Sequence, residues 1–131
     1  MPAQPLSQPG PITHLARIVQ PADANSQGDM HGGEAMRFMD EAAGMAAMRY
    51  THGNVVTAHV DALDFHKPVF IGMFLEANAR VVAVGRTSLV VEVVLEQEDR
   101  FTGDRQVTTS GRFVMVAIDA NGKPRVVERA G

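Results

Sequence analysis

NSQGDMHGGEAMRFMD, residues 25–40, couples a polar loop to a pair of glycines, and the glycines to the start of a helix. Gly32 and Gly33 allow backbone N–H groups to come close to a ligand. The N-terminus of a helix offers unpaired N–H donors at the positive end of its dipole. Asp40, a carboxylate, follows two turns into the predicted helix. These groups together predict a site that stabilises an oxyanion while a nucleophile attacks a carbonyl carbon.

The helical phase places Asp40 on the apolar side of this helix. Residues 34–50 contain no proline and are rich in alanine and methionine, which favours a helix. Asp40 lies about 40° around the axis from Met36, whereas Glu41 faces away. A buried carboxylate is costly unless it is paired. Asp40 is therefore either a functional carboxylate in a cleft or a residue at the edge of the apolar stripe that reaches water. The stripe itself holds Met36, Met39, Ala43, Ala46, Ala47 and Tyr50.

The composition excludes several classes of protein. The 131 residues suffice for one domain with its own core, and 45% of them are hydrophobic. The absence of cysteine excludes disulfides, a thiolate nucleophile and a cysteine metal site. A net charge of −3 argues against a nucleic-acid partner, and no apolar run reaches the length of a membrane span. We expect a cytoplasmic protein without a secretory signal.

Period-two alternation of apolar and polar side chains follows the predicted helix and indicates strands. Gly72, Gly85 and Gly103 mark turns between them. The order β-α-β-β-β-β predicts an α+β fold in which a five-stranded antiparallel sheet wraps around one long central helix. The predicted strands span residues 12–19, 54–65, 75–83, 89–96 and 106–115.

The chain reads as one domain, residues 12–125, between two short terminal segments. A proline-rich arm, residues 1–11, is flexible or extended, and residues 126–131 form a tail. Five strands on one helix cannot close into a barrel, so a sheet edge stays exposed. Residues 54–65 are apolar, free of proline and carry few charges. This segment therefore suits pairing with its own copy across a two-fold axis.

The chain resembles the hotdog-fold acyl-CoA thioesterases, and most of all the cytosolic acyl-CoA hydrolase type. The resemblance covers residues 12–125 and rests on several motifs in order. These are PADANSQGDMHGG at 21–33, FMDEAA at 38–43, VVTAHVD at 55–61, FHKPV at 65–69 and VGRTS at 84–88. Phe38 departs from the tryptophan common in the family, and Met73 from an acidic residue, which leaves the acyl-chain fit open.

The resemblance implies hydrolysis of fatty acyl-CoA to a free fatty acid and coenzyme A. It implies a homodimer, assembled as a trimer of dimers, with active sites at the dimer interface. Asn25 and Asp40 match the family's catalytic asparagine and aspartate, which opposite subunits contribute. The turn formed by Arg86, Thr87 and Ser88 matches the segment that contacts coenzyme A. No separate cofactor is implied, because coenzyme A is part of the substrate and the product.

Further polar residues have two interpretations each. His31 could act as a general base through its imidazole or, as we favour, offer its backbone N–H beside Gly32. Lys123 and Arg125 could reach the phosphates of coenzyme A or belong to a solvated tail. His59, Asp61, Asp64 and His66 resemble metal ligands, but alternate residues of a strand share a face, so the two pairs point to opposite sides. We predict no metal site there.

The sequence leaves the chemistry of Asp40 open. It could activate water as a base or attack the thioester carbonyl itself to form an anhydride. A different class of function, a hotdog module that binds acyl-CoA without cleaving it, would not need this carboxylate. A hotdog dehydratase would use a histidine near the helix with an acid partner, an arrangement that His31 and Asp40 resemble.

Overall fold

The computed structural model describes residues 3–128, in which one long helix lies against a six-stranded antiparallel sheet. The helix, α1, spans Gly32–Thr51, and a short 3-10 helix, Pro21–Asp23, precedes it. The predicted α+β class and the single central helix are confirmed. The strands are β1 (Gln4–Pro5), β2 (Thr13–Ile18), β3 (Val55–Phe65), β4 (Phe74–Val84), β5 (Ser88–Glu98) and β6 (Arg105–Ala117).

The sheet has the order β1-β4-β5-β6-β3, and β2 pairs with the same edge of β4 that β1 uses. The strands β4, β5 and β6 pair along almost their full length. Their burial alternates residue by residue, because one face of the sheet covers α1 and the other faces outward. The period-two pattern of the sequence therefore identified the strands and their inner faces.

One strand more than the predicted five is present, because the N-terminal arm joins the sheet. The Leu6 N–H donates to the Val82 carbonyl and the Gly10 N–H to the Val81 carbonyl, both at 2.9 Å. The Leu6 side chain is buried in the core. Prolines limit the arm to a two-residue strand, since they donate no backbone hydrogen bond. Residues 1–2 and 129–131, which belong to the predicted arm and tail, lie outside the described residues.

Small side chains on α1 bring the helix close to the sheet. Ala42, Ala43 and Ala47 are fully buried, as is Met39. They face large strand residues, among them Leu75, Leu89, Leu95 and Phe113. The helix ends where His52 adopts a left-handed conformation, and its N–H donates to the Met48 carbonyl. The packed face shares Met39, Ala43, Ala46 and Ala47 with the predicted apolar stripe. Met36 and Tyr50 are only half-buried, and the buried face extends instead to Ala35, Phe38 and Ala42.

Strand β3 is a free edge of the sheet. Within residues 3–128 it pairs with β6 alone, and most of its side chains are exposed. Two irregularities interrupt the pairing, and Ala62, at the second, has a φ of 50°. No helix in the described part of the chain is long and apolar enough to cross a membrane.

Candidate functional site

A cavity of about 350 Å³ opens beside the N-terminus of α1. It is lined by Asn25 and Gly32, by Phe65 at the end of β3, and by His66 and Lys67, which follow that strand. The side chain of Phe65 remains about half exposed there. The cavity thus combines an apolar wall, a positive helix end and the side chains of His66 and Lys67 with one acidic residue, Asp29, which suits a ligand with an apolar part and polar groups.

The loop that carries Asn25 is a small hairpin that fixes the side-chain amide of this residue. The Asn25 N–H donates to the Asp29 carbonyl at 2.7 Å. Its Oδ1 accepts hydrogen bonds from the N–H groups of Gln27 at 2.8 Å and Asp29 at 3.2 Å. Gly28 provides the turn with a φ of 84°. Because the oxygen faces the loop, the Asn25 NH₂ group is left to donate to a ligand in the cavity.

The first two residues of α1 offer the N–H donors that the sequence predicted. Within residues 3–128, the N–H groups of Gly32 and Gly33 have no protein acceptor, as expected for the start of a helix. The space beside Gly33 is open, since an added Cβ would meet no atom within 4 Å. The predicted role of the His31 backbone is wrong, because that N–H donates to the Asp23 carbonyl at 2.8 Å. The exposed His31 imidazole forms no helix cap.

Asp40 is half-buried and is held by a residue that the sequence did not single out. The Thr57 hydroxyl donates to Asp40 Oδ1 at 2.6 Å. Thr57 lies on β3, the free edge of the sheet, and is exposed. This short contact to a carboxylate is of the strong, charge-assisted kind. It orients Asp40 and leaves Oδ2 for water or a substrate.

A single protomer does not bring Asn25 and Asp40 together. Asn25 lines the cavity at the N-terminus of α1, whereas Asp40 lies two turns further along the helix beside Thr57. No hydrogen bond joins the two side chains in the described part of the chain.

The residues predicted to bind coenzyme A lie at the other end of the helix. Arg86 is exposed, and its carbonyl accepts from the Val127 N–H at 2.8 Å. The Thr87 carbonyl accepts from the Ala117 N–H at 2.9 Å, and Ser88 begins β5. A helix of 20 residues is about 30 Å long, so within one protomer this turn is far from the cavity.

The two basic residues of the C-terminal segment differ in their surroundings. Lys123 is exposed. The Arg125 guanidinium donates to the Thr51 carbonyl at 3.1 Å and packs so close to Gly53 that an added Cβ there would lie 2.3 Å from it. Arg125 thus stabilises the C-terminus of α1, whereas Lys123 and Arg86 are exposed at this end.

The histidines and aspartates of residues 59–66 form no metal-binding group within residues 3–128. His66 Nε2 lies 2.9 Å from Ser110 Oγ. Among residues 3–128 no group of three or more histidine, aspartate or glutamate side chains could hold a metal ion.

One buried carboxylate lies at the base of the Asn25 loop. Asp23 is only 7% exposed and forms an ion pair with Arg17. Burial alone would raise the pKa of the Asp23 carboxyl. The hydrogen bonds from Arg17 and from the Gln20 N–H, with the positive charge of Arg17, outweigh burial and hold this pKa below its ordinary value. The carboxyl is therefore ionised at neutral pH.

Comparison with known proteins identifies the family. The model of the thioesterase superfamily matches residues 27–103, which is more than half of the chain. The chain belongs to the thioesterase superfamily. An uncharacterised acyl-CoA thioester hydrolase of Zymomonas mobilis is 41% identical over 107 residues, covering 82% of this chain and 72% of the relative. The cytosolic acyl coenzyme A thioester hydrolase of rat is 33% identical over 129 residues, covering 92% of this chain and 34% of the rat protein.

Solved structures of acyl-CoA thioesterases superpose on this superfamily member. An apo-hexameric acyl-CoA thioesterase gives a TM-score of 0.86 at 36% identity and covers 92% of this chain and 79% of its own. An acyl-CoA hydrolase of Staphylococcus aureus, in complex with butyryl coenzyme A and coenzyme A, gives a TM-score of 0.84 at 34% identity. It covers 88% of this chain and 71% of its own. Further structures of that hydrolase carry alanine in place of one asparagine, one aspartate and one threonine.

Proposed function

We propose that this thioesterase-superfamily protein hydrolyses fatty acyl-CoA to a free fatty acid and coenzyme A. One observation carries the proposal: a carboxylate, Asp40, is oriented by the Thr57 hydroxyl at 2.6 Å on the same helix whose free N-terminus opens onto a cavity. The Staphylococcus aureus hydrolase supports it, since its replaced asparagine, aspartate and threonine have the order and spacing of Asn25, Asp40 and Thr57.

We assign a role to each group around the thioester. The Asn25 NH₂ group and the N–H groups of Gly32 and Gly33 donate to the carbonyl oxygen, whose negative charge grows as the carbon is attacked. The positive end of α1 stabilises the same charge. These donors are fixed before the substrate arrives, so little reorganisation accompanies the reaction.

Two routes conserve atoms and charge, and both use Asp40. As a base, Asp40 takes a proton from water while the water oxygen bonds to the carbonyl carbon. The C–S bond then breaks, and the thiolate of coenzyme A leaves and takes up a proton. As a nucleophile, Asp40 bonds to the carbonyl carbon, expels the thiolate and forms an anhydride that water cleaves. A single turnover in ¹⁸O-labelled water detects the second route when water attacks the Asp40 carbonyl carbon of the anhydride. The label then enters Asp40 and the fatty acid leaves with an unlabelled oxygen from Asp40, whereas the first route labels the fatty acid alone.

The free edge of β3 supports an active site shared between two copies. Pairing of β3 with a second β3 across a two-fold axis runs the strands antiparallel. The Thr57 end of one strand then faces the Phe65 end of the other, where the cavity and Asn25 lie. This brings Asp40 of one copy toward Asn25 of its partner. The hexameric thioesterase of similar structure supports a homodimer that assembles further as a trimer of dimers.

The same arrangement supports the coenzyme A site. Arg86, Thr87 and Ser88 lie at the C-terminal end of α1, which an antiparallel dimer turns toward the cavity of the other copy. An exposed arginine there can bind phosphate through paired hydrogen bonds, with Lys123 as a second cation. We propose that acyl-CoA spans both subunits, and that the protein acts in the cytoplasm, as the cytosolic relative from rat does by its name.

Release of coenzyme A from saturated acyl-CoAs of increasing chain length, followed with a thiol-trapping dye, tests the proposal. We expect turnover by the wild type and a loss of orders of magnitude in Asp40→Asn, with binding of coenzyme A retained. A protein that binds acyl-CoA and releases no thiol would instead be the non-catalytic module.

A further inference from the structure

The Asn25 loop is attached to the rest of the fold on both of its sides. On one side the Met30 N–H donates to the Val69 carbonyl at 2.7 Å and Asp29 forms an isolated bridge with Phe70, and the other side is held at Asp23. The Asp23 carbonyl accepts the His31 N–H at 2.8 Å, which closes the base of the hairpin immediately before α1. Ala24 and Met30, one residue further into the hairpin on each side, form an isolated antiparallel bridge. Asn25 lies two residues from Asp23, so the position of the Asp23 backbone constrains the direction of the Asn25 amide.

Asp23 is itself anchored by its side chain. Its Oδ2 accepts the Gln20 N–H at 2.8 Å and also binds the Arg17 guanidinium. The Asp23 N–H donates to the Gln20 carbonyl at 2.9 Å. The carboxylate therefore ties the 3-10 turn, and with it the base of the loop, to β2.

Arg17 connects this anchor to the catalytic helix. Its guanidinium lies 5.6 Å from the centre of the Phe38 ring, which is buried in α1 two residues before Asp40. A planar guanidinium can stack on a ring and bind a carboxylate at the same time. One side chain thus joins β2, the Asn25 loop and α1.

We propose that Arg17 and Asp23 are positioning residues for thioester hydrolysis, whose ion pair sets the orientation of the Asn25 amide at the start of α1. Neither side chain is among those that line the cavity, so both act through the elements that they hold, which are the Asn25 loop and, for Arg17, also α1. The pair is largely buried, with 29% and 10% of the two side chains exposed, and removal of one partner leaves a charge without compensation. The inference rests on the proposed function, because Asn25 is the group that it positions.

A double-mutant cycle separates positioning from support of the fold. We expect Asp23→Asn to lower kcat about 10–100-fold, as a misplacement near 1 Å does, while KM changes less than about threefold. In an Asn25→Ala background, Asp23→Asn should lower kcat by less than about a further threefold, because the group that Asp23 positions is already absent. Independent, multiplying losses in kcat would overturn the inference, and so would full activity of Asp23→Asn.

A matched control comes from the ion pair between Arg112 and Glu92, which joins exposed side chains of β6 and β5 at 3.0 Å. Arg112→Gln should leave kcat unchanged. If Asp23→Asn does not fold, Arg17→Gln takes its place in the cycle, and Arg17→Lys should restore part of the lost kcat by retaining the charge.

A readout without turnover keeps the two proposals distinct. The ¹⁵N side-chain amide resonance of Asn25, assigned through Asn25→Ala, should shift in Arg17→Gln and stay in place in Arg112→Gln. No shift in Arg17→Gln would refute the positioning role. Absence of thiol release by the wild type, together with this shift, would refute only the proposed function.

Discussion

Replacing Thr57 by valine tests whether the orientation of Asp40 matters to the chemistry. Valine keeps the branched shape but lacks the hydroxyl that donates to Asp40 Oδ1 at 2.6 Å. A hydrogen bond to a charged group contributes about 1.5–3 kcal/mol. Each 1.36 kcal/mol of transition-state stabilisation corresponds to a tenfold change in rate. If this hydrogen bond stabilises the transition state, its loss should lower kcat about 10- to 150-fold. Thr57 is exposed, so water can take the place of its hydroxyl and the lower half of this range is expected.

The assay is steady-state release of coenzyme A at saturating acyl-CoA, followed with a thiol-trapping dye. Thr57→Ser retains the donor and should lose less than about threefold in kcat, which makes it the matched control. The midpoint of thermal unfolding should change little in both variants, since the side chain is exposed on an edge strand. If Thr57→Val keeps at least half of the wild-type kcat, the hydroxyl does not orient a reacting carboxylate and the reasoning fails.

Four further outcomes are expected. Asp40→Asn and Asn25→Ala should each be nearly inactive. If sites are shared, subunit exchange in an equal mixture of the two variants should restore about a quarter of the wild-type activity, averaged over all dimers. No recovery after subunit exchange would argue for sites within one copy. Arg86→Ala should raise KM for acyl-CoA about tenfold, the loss of one charge-assisted contact, and leave a short thioester without the nucleotide unaffected; equal losses on both substrates would assign Arg86 to the fold. Val60→Lys should dissociate or unfold the oligomer in light scattering, and a fully active dissociated form would contradict the pairing of β3. Because Asp23 has a lowered pKa, the stability that its ionised carboxyl provides is present at neutral pH and is lost as the pH falls below about 4; acid titration of unfolding should show a smaller loss in Asp23→Asn.

Periodicity alone predicted the helix, the order of the long strands and the sector that holds Asp40. These features follow from local rules, since a period of 3.6 or 2 fixes which side chains share a face. The buried Met39 and half-buried Asp40 on α1 agree with that phase. The sharp turns at glycine could also be predicted from the sequence, because few other residues adopt a positive φ.

Contacts between segments that are distant in the sequence could not be predicted from the periodicity. Thr57 is one of four polar residues on β3, and only the position of β3 beside α1 brings it to Asp40. The His31 N–H was expected to face a ligand, but the Asp23 carbonyl, eight residues earlier, accepts it. The arm joins β4 because Leu6 finds a place in the core, which its proline-rich surroundings do not reveal.

The free edge of β3 has a consequence for how activity depends on the amount of protein. Thr57 lies on the edge strand that we propose pairs with a second copy, so the group that orients Asp40 and the proposed dimer surface belong to the same element. Dilution below the dissociation constant of the dimer would then remove half of every site at once. Specific activity should therefore decrease as the enzyme is diluted. The first copies synthesised in a cell would remain inactive until others accumulate.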